Sequence, residues 1–458
     1  MDFVHSSFKP GETIAAIATP LGEGGIGIVR ISGDQAIRIA NCIFSGPVDS
    51  YSSHTAHLGL VRDTNGDRID QALLLIMRAP KSYTGEDTIE IQCHGGVIVT
   101  RKILEAALSA GARAALPGEF TFKAFMNGKI DLSQAEAVQE LISAKSEEAF
   151  SIAGKQLEGK LSEKIAAFQQ ELNRIGAIFE AWVDFPEEGP FFLAKEELLV
   201  NLQDLAKEIQ CLIKTFHDGK KLQRGVSVGI IGAPNAGKSS LMNALLEEDR
   251  AIVTSIPGTT RDLLCEEITM SGFLFHLIDT AGIRKTEETV EKEGIRRSRE
   301  VLHESELVLL VIDGSTHLEE EDYELLSSVS NEKTIIVWNK SDLPRKGSHL
   351  MNFPYQVEIS AKHHVGLDQL KEQINRLIWN KGTIAKNEIL ITKTRHQEAL
   401  KEASQALELV IQGLNQGLSP EFLSIDIRTA LKGLGRIIGT NISEDLLSSI
   451  FSQFCIGK

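Results

Sequence analysis

A glycine-rich run between an apolar segment and a helical one is the feature that most constrains the fold. Residues 232–239 read Gly-Ala-Pro-Asn-Ala-Gly-Lys-Ser and follow an apolar run at 226–231. Glycines let backbone N–H groups close around phosphates, Lys238 offers a point charge, and the Ser239 hydroxyl can reach Mg²⁺. The pattern therefore predicts a phosphate-binding loop between a buried strand and a helix, with a nucleoside triphosphate as ligand.

Length and composition narrow the class of protein. The chain has 458 residues, which predicts two or three domains. It contains no apolar stretch of about 20 residues, and its first residues lack a secretory pattern, so we expect a cytoplasmic protein without a membrane span. Five scattered cysteines without a Cys-x-x-Cys pair fit a reducing compartment and no structural zinc.

The net charge of −15 is opposite in sign to that of proteins that hold nucleic acid by neutralising phosphates. Any contact with nucleic acid must therefore be local or shared with a partner. Two short basic patches could serve, although such patches are more often solvated faces. They are Lys220, Lys221 and Arg224, and Arg296, Arg297 and Arg299.

Hydrophobic patterning changes along the chain. Short apolar runs between turn residues predict strands of an α+β domain at 13–18, 27–31, 72–77 and 88–92. Helical periodicity from about 132 to 216, broken at 184–190, predicts two long helices. Alternating strands and helices then predict a doubly wound α/β domain, and helical periodicity returns at 398–412 and 424–437. We interpret the α/β domain as an insertion into one helical bundle.

Three further motifs indicate guanine nucleotide chemistry. Asp279-Thr280-Ala281-Gly282 follows a predicted strand. There the carboxylate of Asp279 can hold the water shell of the metal, and Gly282 can sense the γ-phosphate. Asn339-Lys340-Ser341-Asp342 and then Ser360-Ala361-Lys362 follow later strands. The carboxylate of Asp342 can accept two hydrogen bonds from the guanine N1 and 2-amino groups, which adenine does not offer. The predicted ligand is therefore GTP.

Two features of the sequence bear on the hydrolysis of GTP: a switch segment and the absence of a glutamine that many GTPases use. A threonine in Gly258-Thr259-Thr260-Arg261-Asp262 can complete the Mg²⁺ shell when the γ-phosphate is present. Ile283 stands where many GTPases of this fold carry a glutamine that orients the attacking water. Arg284 is one candidate replacement, as an arginine finger. We prefer Glu291 as the water-orienting residue, with a solvated loop glutamate as the alternative.

With these residues identified, the chain resembles the MnmE family of bacterial tRNA modification GTPases, also called TrmE. The likeness extends over the whole chain and is most specific outside the GTPase core. The residues that carry it are Ile-Ala-Ala-Ile-Ala-Thr-Pro at 14–20, Gly-Gly-Ile-Gly-Ile-Val-Arg-Ile-Ser-Gly at 24–33, His-Gly-Gly at 94–96, Pro-Gly-Glu-Phe-Thr at 117–121, Asn-Gly-Lys-Ile-Asp-Leu at 127–132, Gln-Ala-Glu-Ala at 134–137 and Phe-Cys-Ile-Gly-Lys at 454–458.

The resemblance implies a multidomain α/β + α fold. Its parts would be an α+β folate-binding, tetrahydrofolate-fold and dimerisation domain at 1–120, a discontinuous helical bundle at 121–221 and 383–458, and an inserted Ras-like P-loop GTPase domain at 222–382. By position, the residues implied for 5-formyltetrahydrofolate are Arg30, Glu90, Lys129 and Lys458. Cys455 matches a C-terminal cysteine of the family; it is either a functional thiol or a buried small hydrophobe beside Phe454.

The resemblance also implies a potassium-activated GTPase, in which the ion takes the role of an arginine finger. The K⁺ ligands would be Asn235, Thr254, Ile256 and Thr259, and the Mg²⁺ ligands Ser239 and Thr260. The catalytic residues would be Glu291, Lys238 and Asn235. The complete predicted GTP site is Asn235, Ala236, Gly237, Lys238, Ser239, Ser240, Thr254, Ser255, Ile256, Pro257, Gly258, Thr259, Thr260, Asp279, Thr280, Ala281, Gly282, Asn339, Lys340, Asp342, Ser360, Ala361 and Lys362.

The implied function is modification of carbon 5 of the wobble uridine in certain tRNAs. The chain would act as a homodimer with an FAD-dependent partner similar to MnmG or GidA, in a heterotetramer or larger complex. Hydrolysis of GTP would be coupled to dimerisation of the GTPase domains. Two other classes share the nucleotide motifs: a ribosome-assembly GTPase, which usually carries a basic RNA-binding module, and a regulatory switch that acts only through an effector.

Overall fold

Two units make up the part of the chain that the computed structural model describes. The first unit comprises Met1–Ile142, Gly154–Gln210 and Arg395–Lys458, and the second comprises Ser143–Ala153 and Cys211–Thr394. The described residues within them are 9–184, 195–249, 265–279, 305–346, 350, 352–378 and 389–458. The second unit is thus inserted into the first, as predicted. The first unit combines the N-terminal α+β part with most of the helical part.

A six-stranded sheet forms the N-terminal part of the first unit, in the order β3-β4-β5-β2-β1-β6. Its strands are β1 Ile14–Ile17, β2 Gly24–Ser32, β3 Thr55–Arg62, β4 Arg68–Met77, β5 Thr88–Gly95 and β6 Arg113–Ala114. Neighbouring strands are antiparallel except the parallel pair β1 and β6. Helices α1 (Ala36–Ile43) and α2 (Val97–Ser109) contribute to the core on one face, with Ile31, Leu74 and Ile91 from the sheet.

The four strands predicted in this region are present as β1, β2, β4 and β5. Strand β3 was not predicted, and Gly59 within it explains why. A Cβ atom at Gly59 would lie 2.4 Å from the ring of Phe44, so the absence of a side chain makes room for the phenyl group. A glycine that lets a neighbouring side chain approach the backbone interrupts the alternation of apolar and polar residues by which strands are recognised.

Helices form the rest of the first unit and connect it to the second. They are α3 Glu119–Met126, α4 Leu132–Ser143, α5 Glu147–Leu157, α6 Lys160–Asp184, α7 Lys195–Lys214, α12 Thr394–Gln416, α13 Pro420–Ile438 and α14 Glu444–Phe451. Helix α6 packs on α13, where Gly176 lies against Ile427 and Arg428 pairs with Glu180 at 3.0 Å. Helices from before and after the insertion therefore share one bundle.

The prediction of one long helix from 132 to the break at 184–190 is wrong. The chain is interrupted between α4 and α5 and again between α5 and α6. The hydroxyl of Ser146 accepts the backbone N–H of Ala149 at the start of α5, and Gly159 adopts a φ of 86° after its end. A serine cap begins a helix and a left-handed glycine ends one, and neither disturbs the hydrophobic period, so periodicity alone missed these breaks.

The second unit is a doubly wound α/β domain, as predicted. Its six-stranded sheet has the order β12-β11-β10-β7-β9-β8 and is parallel except for the edge strand β8. The strands are β7 Val226–Ile231, β8 Cys265–Met270, β9 Phe273–Asp279, β10 Leu307–Asp313, β11 Thr334–Asn339 and β12 Gln356–Glu358. Its helices are α8 Phe216–Arg224, α9 Lys238–Asp249, α10 Glu320–Ser328 and α11 Leu367–Ile378.

Burial on both faces explains why the central strands are apolar throughout. Val228 and Leu309 belong to the core on one face, while Val308 and Leu310 belong to the core on the other. Parallel strands covered on both sides lose the alternation of half-buried strands. Within the described ranges, no helix is both long and apolar enough to cross a membrane.

A buried charged cluster joins the two halves of the bundle. Glu136 on α4 accepts a hydrogen bond from Arg395 at 2.6 Å and lies 2.9 Å from Nε2 of His396, both on α12. Arg395 also donates to the carbonyl oxygens of Arg436 and Ile437 on α13. Burial raises the pKa of Glu136, but the charges and hydrogen bonds of His396 and Arg395 outweigh it and lower that pKa from 4.5 to about 2.

Replacement of Glu136 by glutamine should destabilise the folded chain, because the guanidinium of Arg395 would remain mostly buried without a counter-charge and His396 would lose its carboxylate partner. We expect a loss of about 3 kcal/mol in the free energy of unfolding at pH 7, measured by denaturant titration. Since the folded-state pKa is depressed, the contribution is complete above pH 4.5 and is lost as the pH falls towards 2. The difference between the two proteins should therefore shrink over that range.

The matched control is Glu163→Gln on α6, whose carboxylate forms an exposed pair with Lys160. It should change the free energy of unfolding by less than about 0.5 kcal/mol. Equal stability of Glu136→Gln and this control would show that the buried cluster does not hold the bundle together.

Candidate functional site

The carboxyl ends of the parallel strands in the second unit bring the predicted nucleotide motifs to one edge of the sheet. The phosphate loop follows β7 and leads into α9, and the segments at Asn339 and Ser360 follow β11 and β12. The last residue of β9, Asp279, pairs in register with Ile230 near the end of β7. Ligands of open α/β sheets bind at this edge.

The phosphate loop is shaped by close backbone approaches. A Cβ atom at Gly232 would lie 2.2 Å from the carbonyl oxygen of Val311, and one at Gly237 would lie 2.1 Å from Nδ2 of Asn339. Asn235 has a left-handed φ of 62°, which asparagine tolerates better than most residues. The ammonium of Lys238 donates to the carbonyl oxygens of Gly232 and Ala233, both at 2.9 Å. The side chain thus curls back over its own loop.

Asn339 ties the base-recognition segments to the phosphate loop. Its side chain is buried; Nδ2 donates to the carbonyl oxygen of Ala236 at 2.8 Å, and Oδ1 accepts the N–H of Ala361 at 3.0 Å. One amide group therefore bridges three of the segments that the sequence predicted as parts of one site. Losing it would leave buried backbone groups unpaired.

The carboxylate predicted to recognise guanine is held in place by a neighbouring hydroxyl. Oδ1 of Asp342 accepts a hydrogen bond from the hydroxyl of Ser360 at 2.6 Å. This hydrogen bond lowers the pKa of Asp342, so the side chain remains an ionised acceptor at neutral pH. Lys362 is exposed beside it, while Ala361 is buried.

Much of the predicted hydrolytic machinery lies outside the described residues. Of the predicted metal ligands, Asn235 and Ser239 are described, and both are exposed at the phosphate loop together with Ser240. The predicted site residues outside the described ranges are Thr254, Ser255, Ile256, Pro257, Gly258, Thr259, Thr260, Thr280, Ala281, Gly282 and Glu291.

A second candidate site lies on the N-terminal sheet of the first unit. Arg30 on β2 and Glu90 on β5 are register partners, and Nε of Arg30 lies 2.8 Å from Oε1 of Glu90. The guanidinium also donates to the carbonyl oxygen of Gly457 at 3.0 Å and lies 5.5 Å from the ring centre of Phe120. An aromatic ring thus lines one side of the cation.

The C-terminal residues return to this sheet. The carbonyl oxygen of Lys458 accepts the N–H of Phe120 at 3.2 Å, and that of Cys455 accepts the N–H of Gly118 at 3.3 Å. Cys455 is exposed while Phe454 is buried, so the interpretation of this cysteine as a buried hydrophobe is wrong. Nζ of Lys129 donates to the carbonyl oxygen of Pro80 at 3.0 Å.

Sequence reasoning missed residues that contact the predicted ones from elsewhere in the chain. Tyr83 lies 6.0 Å from the guanidinium carbon of Arg30, and Asp313 accepts a hydrogen bond from Lys340. Nothing in the local sequence marks Tyr83. Asp313 did carry a signal, because it follows an apolar strand at the same edge of the sheet as the recognised motifs.

Two family models cover most of the chain. One, described as the MnmE helical domain, matches residues 132–455, and another, described as the GTP-binding protein TrmE N-terminus, matches residues 13–129. A tRNA modification GTPase MnmE from Protochlamydia amoebophila is 56% identical over 458 residues, which is 100% of both chains. Another from Geobacter sulfurreducens is 45% identical over 453 residues, covering 98% of this chain and 99% of the relative.

Among solved structures, Era from Aquifex aeolicus, bound to GDP.AlF4-, is 24% identical over 40% of this chain and 67% of its own. The TM-score of 0.27 is too low for that likeness to bear on the fold.

Proposed function

Because the chain belongs to the MnmE family of tRNA modification GTPases, we propose that it hydrolyses GTP while modifying carbon 5 of the wobble uridine of certain tRNAs. The products would carry an aminomethyl or carboxymethylaminomethyl group. Support comes from the end-to-end similarity to named relatives, 56% identical for one of them. The chain would act as a homodimer with an FAD-dependent partner similar to MnmG or GidA, in a heterotetramer or larger complex.

The structural observation that supports GTP binding is the bridge made by Asn339. Its amide links the phosphate loop at Ala236 to the base-recognition segment at Ala361. A nucleotide that lies on the phosphate loop would place its base between Asp342 and that segment. An ionised Asp342 accepts two donors from guanine but would lose both partners opposite adenine, which favours GTP over ATP.

The acidic character of the chain supports a division of labour on tRNA. A net charge of −15 opposes the electrostatic attraction on which phosphate-binding proteins depend. The flavoprotein partner would then supply most of the contacts to tRNA phosphates. The same argument disfavours a ribosome-assembly GTPase.

The test of this function is nucleoside analysis of tRNA from a deletion strain. We expect the C5 modification of the wobble uridine to disappear and to return with the wild-type gene. It should not return with Lys238→Ala, which removes the charge at the phosphate loop, although the protein accumulates. Persisting modification together with accumulating ribosomal subunits would instead identify an assembly GTPase, and persisting modification alone would favour a regulatory switch.

The exposed side chains of the phosphate loop fit the proposed metal ions. Asn235 and Ser239 offer neutral oxygen ligands, which hard cations such as K⁺ and Mg²⁺ accept. Thr254, Ile256 and Thr259 would complete the K⁺ site and Thr260 the Mg²⁺ site. K⁺ would supply the positive charge that an arginine finger supplies in other GTPases. Glu291 would orient the attacking water, and Lys238 would bind the β and γ oxygens.

GTP turnover should rise steeply when Na⁺ is replaced by K⁺ at constant ionic strength, because the proposed site would select K⁺ over the smaller ion. In the same phosphate-release assay, Asn235→Ala should lose this stimulation. Glu291→Ala should keep its affinity for GDP and lose turnover by about a hundredfold or more. Equal rates of the wild-type protein in both salts would rule out the K⁺ role, and an unchanged rate for Glu291→Ala would point to Arg284.

We also propose that the Arg30 cluster binds 5-formyltetrahydrofolate as the one-carbon source. Arg30 and Glu90 are mostly buried, and the guanidinium of Arg30 lies near the rings of Tyr83 and Phe120. This arrangement suits a flat pterin with hydrogen-bond donors and acceptors on its edge. Lys129 and Lys458 would attract the glutamate tail. The exposed Cys455 precedes Gly457, whose carbonyl oxygen accepts a hydrogen bond from Arg30.

Substitution of Arg30 by alanine should weaken binding of 5-formyltetrahydrofolate by about a hundredfold, because it removes a charged partner and leaves Glu90 unpaired. Isothermal titration measures this directly, and GTP turnover of the same variant should stay near the wild-type rate. Arg38→Ala is the matched control, since Arg38 is exposed and pairs with Gln35 on the surface. Identical folate affinity of the two variants would reject the site.

A further inference from the structure

We propose that Asp313 is a positioning residue of the guanine-nucleotide site, which holds the side chain of Lys340 ready for the ligand. This inference rests on the proposed GTP binding and adds to it a residue outside all the sequence motifs.

Sheet register places Asp313 beside the base-recognition motif. It is the last residue of β10 and lies opposite Asn339, the last residue of β11, in a parallel pair. The N–H of Gly314 donates to the carbonyl oxygen of Asn339 at 2.9 Å, and a Cβ atom at Gly314 would lie 3.0 Å from the same oxygen. The chain after Asp313 is therefore fixed against the residue that precedes Lys340.

Both carboxylate oxygens of Asp313 accept hydrogen bonds. Oδ2 accepts from Nζ of Lys340 at 2.6 Å, whereas Oδ1 accepts the N–H of Ser315 at 2.9 Å and its hydroxyl at 2.6 Å. Burial raises the pKa of Asp313, but these hydrogen bonds outweigh it and lower that pKa, so the group stays ionised. Ser315 thus fixes the plane of the carboxylate, and the carboxylate fixes the lysine ammonium through a charge-assisted bond.

The conformation of Lys340 explains why such an anchor is useful. Its backbone has a left-handed φ of 64°. Asn339, which contacts the phosphate loop, directly precedes it, and Asp342, which is predicted to bind guanine, follows two positions later. A free lysine side chain carries about 2 kcal/mol of rotamer entropy, which a ligand must overcome when it orders that chain. With the ammonium already bound to Asp313, the side chain of Lys340 is ordered before a guanine nucleotide binds.

The test compares Asp313→Asn with the wild-type full-length chain. Asparagine keeps the size and the acceptor for Ser315 but removes the charge that binds Lys340. We expect the Kd for a fluorescent GDP analogue to rise about tenfold. The KM for GTP should rise by a similar factor and by more than kcat falls. The control is Asp322→Asn, another mostly buried carboxylate of the same unit, which accepts the N–H of Glu319 at the start of α10. Its Kd should match the wild-type value.

A double-mutant cycle with Lys340→Ala separates positioning from a general structural role. If Asp313 acts through Lys340, Asp313→Asn should weaken GDP binding in the wild-type background and have no further effect in Lys340→Ala. The same fold-change in both backgrounds would overturn the proposal. An unchanged Kd for Asp313→Asn in a chain that binds GDP would refute the role of Asp313 alone. Failure of the wild-type chain to bind GDP would refute the proposed function itself.

Discussion

Parallel strand pairing in the second unit is the constraint on which the candidate nucleotide site depends. Because β7, β10, β11 and β12 run in the same direction, the chain segments that follow them all emerge at one edge of the sheet. Hydrogen bonds from a single buried amide, that of Asn339, then hold the phosphate loop against the segment at Ala361. The sheet therefore assembles the site, and the side chain of Asn339 connects two of its segments. This arrangement also explains why the phosphate loop can be so rich in glycine: its shape is imposed by neighbouring backbone atoms, and a side chain at Gly232 or Gly237 would collide with them.

Because the second unit interrupts the helical bundle, helices from before and after the insertion must be held together by side-chain contacts. The buried Glu136 joins them by binding Arg395 and His396, which directly follow the inserted unit. Arg395 in turn binds the carbonyl oxygens at the end of α13, where backbone acceptors have no partner within the helix. The C-terminal residues provide a second closure, because the carbonyl oxygens of Cys455 and Lys458 bind the N–H groups at the start of α3. Polar contacts between distant parts of the chain thus supplement the apolar cores in defining the first unit.

The fold class could be predicted because its signals are local and repeated. Continuous apolar runs indicated the parallel strands, and returning helical periodicity after residue 382 indicated the insertion. The errors arose where one residue overrides a pattern. Gly59 hid strand β3 because it makes room for Phe44, and Gly159 ended a helix whose hydrophobic period continues into the next one. A periodicity argument averages over about a dozen residues, so a single backbone conformation is invisible to it.

Site residues that belong to short motifs of consecutive residues could be predicted from the sequence. Those that come together only through the register of paired strands could not. The phosphate loop and the segments at Asn339 and Ser360 are short motifs, and each lies at the carboxyl end of a strand in the parallel part of the sheet. Asp313 carries only a partial signal in the sequence, because it ends an apolar run. Its role becomes clear from the pairing of β10 with β11, which sets it opposite Asn339 and within reach of Lys340. The contact of Arg30 with Gly457 likewise joins residues at opposite ends of the chain, and it uses a carbonyl oxygen that any residue type would supply. A backbone acceptor leaves no trace in the sequence, so the partners of a charged side chain become known only when the fold is known.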